Sequence, residues 1–388
     1  MRSRWLAIGL VLSPGLLAAQ DVGAPGAASR VELVRIDVAV TDSHGRPVPD
    51  LTAADFEVRE DDSPRAITNF TYVVVGGTAP LPAAPAPAAR PSTTPAAGPE
   101  PVLPSPSRAR QRRILAFVVD DLNLARTSVA RTRGMLKRFV EKSLQPDDLV
   151  GLFRTGAPST TATLGADRAA LLAEIAGLRW NGQSGRERAV DPIQKGLTAP
   201  VTVGEHLDRR RAFLLAEASL AALQAVIRAL EPLPDRKAVI FLSDGLKVGR
   251  STNAFDRLVD AANGANRESL VVYTLDPRGV TPLNLEADDF DNDEGAHWRI
   301  PAWLEERATS YEADHDGLER LAEATGGLFI HDTDPGKGLA QVVVDQSGYY
   351  LLGYVAPAGS EPRFHHVSVT VKRPGLRVRA RTGYWGGD

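Results

Sequence analysis

The 388-residue chain contains no cysteine. Disulfides, thiolate metal sites and a cysteine nucleophile are therefore excluded. Neither sign of charge dominates: 45 Lys and Arg stand against 48 Asp and Glu, a net charge of −3. That balance gives no sign of a nucleic-acid binder. Beyond the first residues, no apolar run reaches the length of about 18 that a membrane helix needs. No glycine-rich phosphate loop follows a strand, and "GQSGR" around Ser184 lacks the strand–elbow–helix setting of a hydrolase serine. The chain is accordingly expected not to be an enzyme. What it does have is 43% hydrophobic and 24% charged residues, the balance of a globular protein with a sizeable core.

The N-terminus reads as an export signal over residues 1–19. Arg2 and Arg4 precede the apolar segment Trp5 to Leu17, and Leu17-Ala18-Ala19 offers small residues for cleavage. A periplasmic or secreted protein is expected, with no integral membrane segment after cleavage. Residues 30–75 form a small β domain, a β-sandwich-like module. Val31, Leu33, Ile36, Val38 and Val40 roughly alternate with polar neighbours, and turns are expected at Ser43-His44-Gly45-Arg46 and Asp61-Asp62-Ser63-Pro64. Residues 76–110 are dominated by Pro and Ala and read as a semi-extended linker.

Residues 112–335 alternate between strands and helices. "ILAFVV" (114–119), "LVGLF" (149–153), "AVIFL" (238–242), "LVVYTL" (270–275) and "LFIH" (328–331) are short apolar runs suited to strands covered on both faces. Helical spacing predicts helices near 127–143, 167–178, 207–231 and 315–325. The expected class is α/β, a doubly wound and mostly parallel sheet. Residues 336–388 change to strand periodicity and predict a C-terminal β extension, packed against or continuing that sheet.

Ligands of open parallel sheets bind at the carboxyl ends of the strands. Two carboxylate turns are expected there, Asp120-Asp121-Leu122-Asn123 and Ser243-Asp244-Gly245. Such oxygens suit a hard cation, Mg²⁺ or else Mn²⁺ or Ca²⁺. The candidate metal residues are Asp120, Asp121, Asn123 and Asp244. The alternative reading is plainer: Asp120, Asp121 and Asn123 are expected to cap the following helix, as Asp and Asn are good N-caps, and Asp244-Gly245 to form an ordinary turn.

"ILAFVVDD" and "VIFLSDG" resemble the two strand-to-turn segments of von Willebrand factor type A (VWA) domains. Longer strings, among them "VRIDVAVTDSHGRPVPDLTAADFEVRED", "DRKAVIFLSDG", "ATGGLFIHDT" and "DQSGYYLLGYVAP", make the chain similar to the VWA-related proteins abundant in Acidobacteria, over most of residues 30–385. That resemblance implies a VWA/Rossmann-like fold and binding of an unidentified protein partner, as in adhesion, through a metal-ion-dependent adhesion site. The site here is degenerate. Its motif is Asp-x-Ser-x-Ser. Counted from Asp120, the serine positions hold Leu122 and Leu124; counted from Asp121, they hold Asn123 and Ala125. Thr155, Thr198 and Thr202 cannot be assigned by spacing to the motif's threonine. A metal-independent envelope scaffolding or assembly role is the alternative. Three further features are weaker. "EADDFDNDEG" (286–295) reads as a solvated acidic loop, His365-His366 should point to opposite faces of a strand, and the insertion 180–207 is long enough to cover the acidic edge.

Overall fold

Strand β1 (Leu33–Thr41) realises the alternation of its sequence: Val34, Ile36 and Val38 are buried, while Leu33 and Arg35 are exposed. After it come β2 (Phe56–Glu60), β3 (Ser63–Arg65) and β4 (Ile67–Val74). Asp61 and Asp62 both adopt positive φ, 46° and 62°, and so close a tight turn between β2 and β3. The computed structural model describes residues 33–75, 112–156, 164–182, 203–234, 236–249, 253–267, 269–280, 300–356 and 363–386. The segments read as an export signal (1–19), a linker (76–110) and an acidic loop (286–295), most of the insertion 180–207, Ser184, Thr198 and Thr202 lie outside these residues.

The α/β unit contributes β5 (Ile114–Val119), α1 (Arg126–Lys142), β6 (Leu149–Arg154), α2 (Arg168–Gly177), α3 (Val203–Leu230), β7 (Lys237–Leu242), α4 (Asn253–Arg267), β8 (Leu270–Leu275), α5 (Ile300–Ala324), β9 (Phe329–Ile330) and α6 (Pro335–Asp345). Its five strands are all parallel, in the order β6-β5-β7-β8-β9. Alternate residues point to opposite faces. Leu115, Phe117, Ile240 and Tyr273 pack under α1, α2 and α6, whereas Val118, Phe241 and Val272 pack under α3, α4 and α5. Both faces are covered, which is why each central strand reads as an unbroken apolar run.

Helix α4 has no clear counterpart in the sequence pattern, because its buried stripe is Ala254, Leu258, Ala261, Ala262 and Ala265, mostly too small to register as periodic. Residues Arg210–Leu230 of α3 are long and apolar enough, by composition, to cross a membrane. Ala216, Leu220, Leu223, Val226, Ile227 and Leu230 instead pack against the sheet as core.

The C-terminal strands β10 (Gly348–Val355), β11 (Phe364–Val371), β12 (Arg377–Arg379) and β13 (Gly383–Trp385) neither continue the parallel sheet nor stand as a separate extension. They interleave with the N-terminal strands in two antiparallel sheets, β12-β1-β10-β4 and β13-β11-β2-β3. Each half supplies only two strands to each sheet, too few for a sheet that stands alone. Together they enclose one core, in which Val34, Ile36, Phe56 and Val58 meet Tyr350, Leu352, Tyr354 and Val367. Tyr350 donates to the Val48 carbonyl at 2.6 Å and accepts from the Leu51 N–H at 3.0 Å, tying the β1–β2 loop to β10. His365 is buried and His366 exposed, on opposite faces of β11.

A polar nest at the strand ends

In the parallel sheet the chain moves from β5 to β6 on one side and on to β7 on the other. The crevice where these connections diverge lies between the ends of β5 and β7, the place where open sheets take ligands. Asp120 and Asp121 leave β5 there, and Ser243 and Asp244 leave β7. The four candidate metal residues are therefore brought to one edge, all of them buried.

Their partners explain how that burial is tolerated. Asp120 Oδ1 accepts from Ser219 Oγ at 2.6 Å and Thr155 Oγ1 at 2.9 Å. Asp120 Oδ2 accepts from Ser243 Oγ at 2.7 Å and Asn123 Nδ2 at 2.9 Å. Burial pushes the Asp120 carboxyl above the usual carboxylate range, and these four bonds pull it only part of the way back. Asn123 also donates to Ser219 Oγ at 3.1 Å. Asp121 faces the other way: Oδ2 accepts Arg154 Nη2 at 2.6 Å and Nε at 3.0 Å, and Oδ1 accepts the Gly156 N–H at 2.7 Å.

Asp244 caps α1. Its Oδ2 accepts from the Ala125 N–H and from Ser128 Oγ, both at 2.8 Å. The cap position itself is Ala125, whose methyl group accepts no hydrogen bond. This corrects the expectation that Asp120, Asp121 or Asn123 caps the following helix; the cap comes from a strand end 119 residues away. Leu124 is fully buried in the core between β5 and α1.

A second group of acids continues the edge. Asp276 follows β8 and grips Arg278, with Oδ2–Nη2 at 2.7 Å and Oδ1–Nε at 3.0 Å, while His315 Nε2 lies 2.8 Å from Oδ2. Arg278 Nη1 is 3.6 Å from Asp314, and Lys247 Nζ is 3.6 Å from the other oxygen of Asp314. Asp244 also acts on the Arg278 guanidinium, which these acids hold protonated more firmly than usual against the opposing effect of burial. Helix α5 comes close enough to place Asp314 and His315 because Gly317 faces the loop after β7. A Cβ there would lie 2.2 Å from the Leu246 carbonyl oxygen.

No family model and no curated protein matches the chain. Its chemistry is therefore read from the geometry alone. Asp120 and Asp121 fit a divalent cation poorly. All four lone-pair directions of Asp120 are taken by the chain's own donors. Arg154 neutralises Asp121, and Arg278 sits among Asp244, Asp276 and Asp314, where a bound cation would otherwise balance the charge. Among the described residues no three His, Cys, Asp or Glu side chains converge to hold a metal. Sequence reasoning singled out neither Ser219 nor Arg278. Ser219 had one signal, a hydroxyl on the buried stripe of an otherwise apolar helix.

The acids at this edge respond oppositely to pH. Burial raises the Asp276 carboxyl, but the bonds from His315 and Arg278 outweigh it and hold the group below the usual range. Its contribution to stability is therefore complete above pH 3.8 and lost as pH falls through the lower folded value. Asp276→Asn is expected to unfold with a shallower pH dependence below that point, followed by circular dichroism. An unchanged acid transition would contradict the assignment.

Proposed function

We propose that the chain is an exported, non-catalytic protein-binding module of the VWA type, whose ligand edge is organised by its own hydrogen bonds and guanidinium groups instead of a cation. One observation carries this reading: Asp120 and Asp121, at the crevice between β5 and β7, are already satisfied by Ser219, Ser243, Thr155, Asn123 and Arg154. Preorganised in this way, the edge has no need of a metal to order it. The surface offered to a partner is formed by the loop after β5 and the start of α1. There Leu122 is half-buried, Arg126 and Thr127 are exposed, and the Arg126 guanidinium lies 4.8 Å over the ring of Trp180. An aromatic ring and an arginine at the centre of a patch are the residue types that anchor protein interfaces.

Site-specific photo-crosslinking in cells tests it. A crosslinker at Thr127 should trap one protein adduct, and the same group at Lys137, on the outer face of α1, should not. The Thr127 adduct should survive EDTA. Equal adducts at both positions would remove the edge as the interface, and loss in EDTA would remove metal independence.

A further inference from the structure

A second polar cluster lies at the opposite edge of the parallel sheet, where the β-sandwich sits against it. Arg236 precedes β7, Asn266 ends α4, Ser269 precedes β8 and Thr325-Gly326 precede β9. Across the seam stand Arg35 and Asp37 on the outer face of β1, and Arg381 between β12 and β13. Together they line a cleft with a cavity volume of about 20 Å³.

Three arginines and one acidic residue are among its lining. Arg236 is 4% exposed, and neither Nε nor Nη1 has a hydrogen-bond acceptor. Its nearest acid, Asp37, is 3.8 Å from Nε, beyond hydrogen-bond reach. Its guanidinium also rests 4.5 Å over the ring of Tyr349. Arg381 gives Nη1 to the Asn266 carbonyl at 2.7 Å and Nη2 to the Arg35 carbonyl at 2.6 Å, while its Nε has no acceptor. Burial raises the Asp37 carboxyl against the pull of Arg236 and Arg381. Buried guanidinium donors without acceptors are costly, and something of opposite charge should satisfy them.

We propose that this cleft binds a small monovalent inorganic anion of halide type, held by Arg236 and the Nε–H of Arg381. A cavity of about 20 Å³ has room for a single-atom ion. The ion joins a residue of the α/β unit to one of the sandwich, so its occupancy stabilises the seam. This site is independent of the strand-end acids and does not depend on the protein-binding reading.

Two measurements on the full chain test it. In crystals soaked in bromide, anomalous scattering should place an ion in contact with Arg236 Nε and Nη1. In thermal unfolding at constant ionic strength, replacing bulky gluconate by chloride should raise the wild-type Tm in a saturable way, by about 2–4 °C. The rise should vanish in Arg236→Gln, and in Arg381→Lys should the first variant not fold. Absence of bromide at Arg236, or a chloride effect of equal size in the variant, would overturn the proposal.

Discussion

Asp120→Ala is expected to destabilise the fold by about 3–5 kcal/mol, among the largest effects of any single substitution in the α/β unit. The carboxylate is fully buried and accepts four side-chain hydrogen bonds. Its removal strands donors from four separate places, Asn123, Thr155, Ser219 and Ser243. Ser243 has a second partner in the Gly245 carbonyl, 3.0 Å away, so relaxation recovers part of the loss. The folded carboxyl is raised above 3.8, so its stabilising contribution is fullest below that pH and declines as pH rises through the folded value. The deficit of the variant should therefore be largest in acid and narrow toward neutrality. Urea unfolding at several pH values reads both features. A deficit under about 1 kcal/mol, the value of an ordinary hydrogen bond, would mean that the nest does not hold the strand ends together.

Arg113→Ala should cost a similar amount, about 3–5 kcal/mol, at the far end of the same strands. Arg113 Nε and Nη2 bind Asp148 at 2.8 and 2.5 Å, and both side chains are 2% exposed. The pair locks the entry of β5 to the entry of β6, and Asp148 also accepts the Gln145 N–H at 2.7 Å. Removing the arginine leaves a buried carboxylate without its counter-charge. Replacing both partners with apolar residues of like volume should recover most of the loss, since a buried pair often gains little over good packing. A double variant no more stable than Arg113→Ala would contradict this reading of the pair.

The sheet was legible in the sequence because its signal is local. "ILAFVV" and "LVVYTL" are apolar throughout, and these strands are covered on both faces. The sandwich was only half legible. The pairings of β1 with β10 and of β2 with β11 join residues some three hundred positions apart, and periodicity carries no record of which strands meet. The site divides in the same way. Asp120, Asp121, Asn123 and Asp244 were found because strand ends are where chemistry gathers. Their partners were legible only in part: Thr155 could not be assigned by spacing, and Ser219 and Arg278 lie on other elements, where ordinary hydroxyls and arginines carry no spacing signature. The leucines at 122 and 124 spoke against hydroxyl ligands, and Leu124 is indeed committed to the core. The capping role went to Asp244 because the residue before α1 is Ala125, whose methyl cannot cap, which left its N–H to a carboxylate across the crevice.

The most direct measurement is a calorimetric titration of Mg²⁺ and Mn²⁺ into the wild-type chain. With Arg154 and Arg278 already balancing the acids and Asp120 saturated, the expected result is no saturable heat at millimolar metal. A single saturable site, lost in Asp244→Ala, would contradict the view that the chain's own cations stand where a divalent ion would bind.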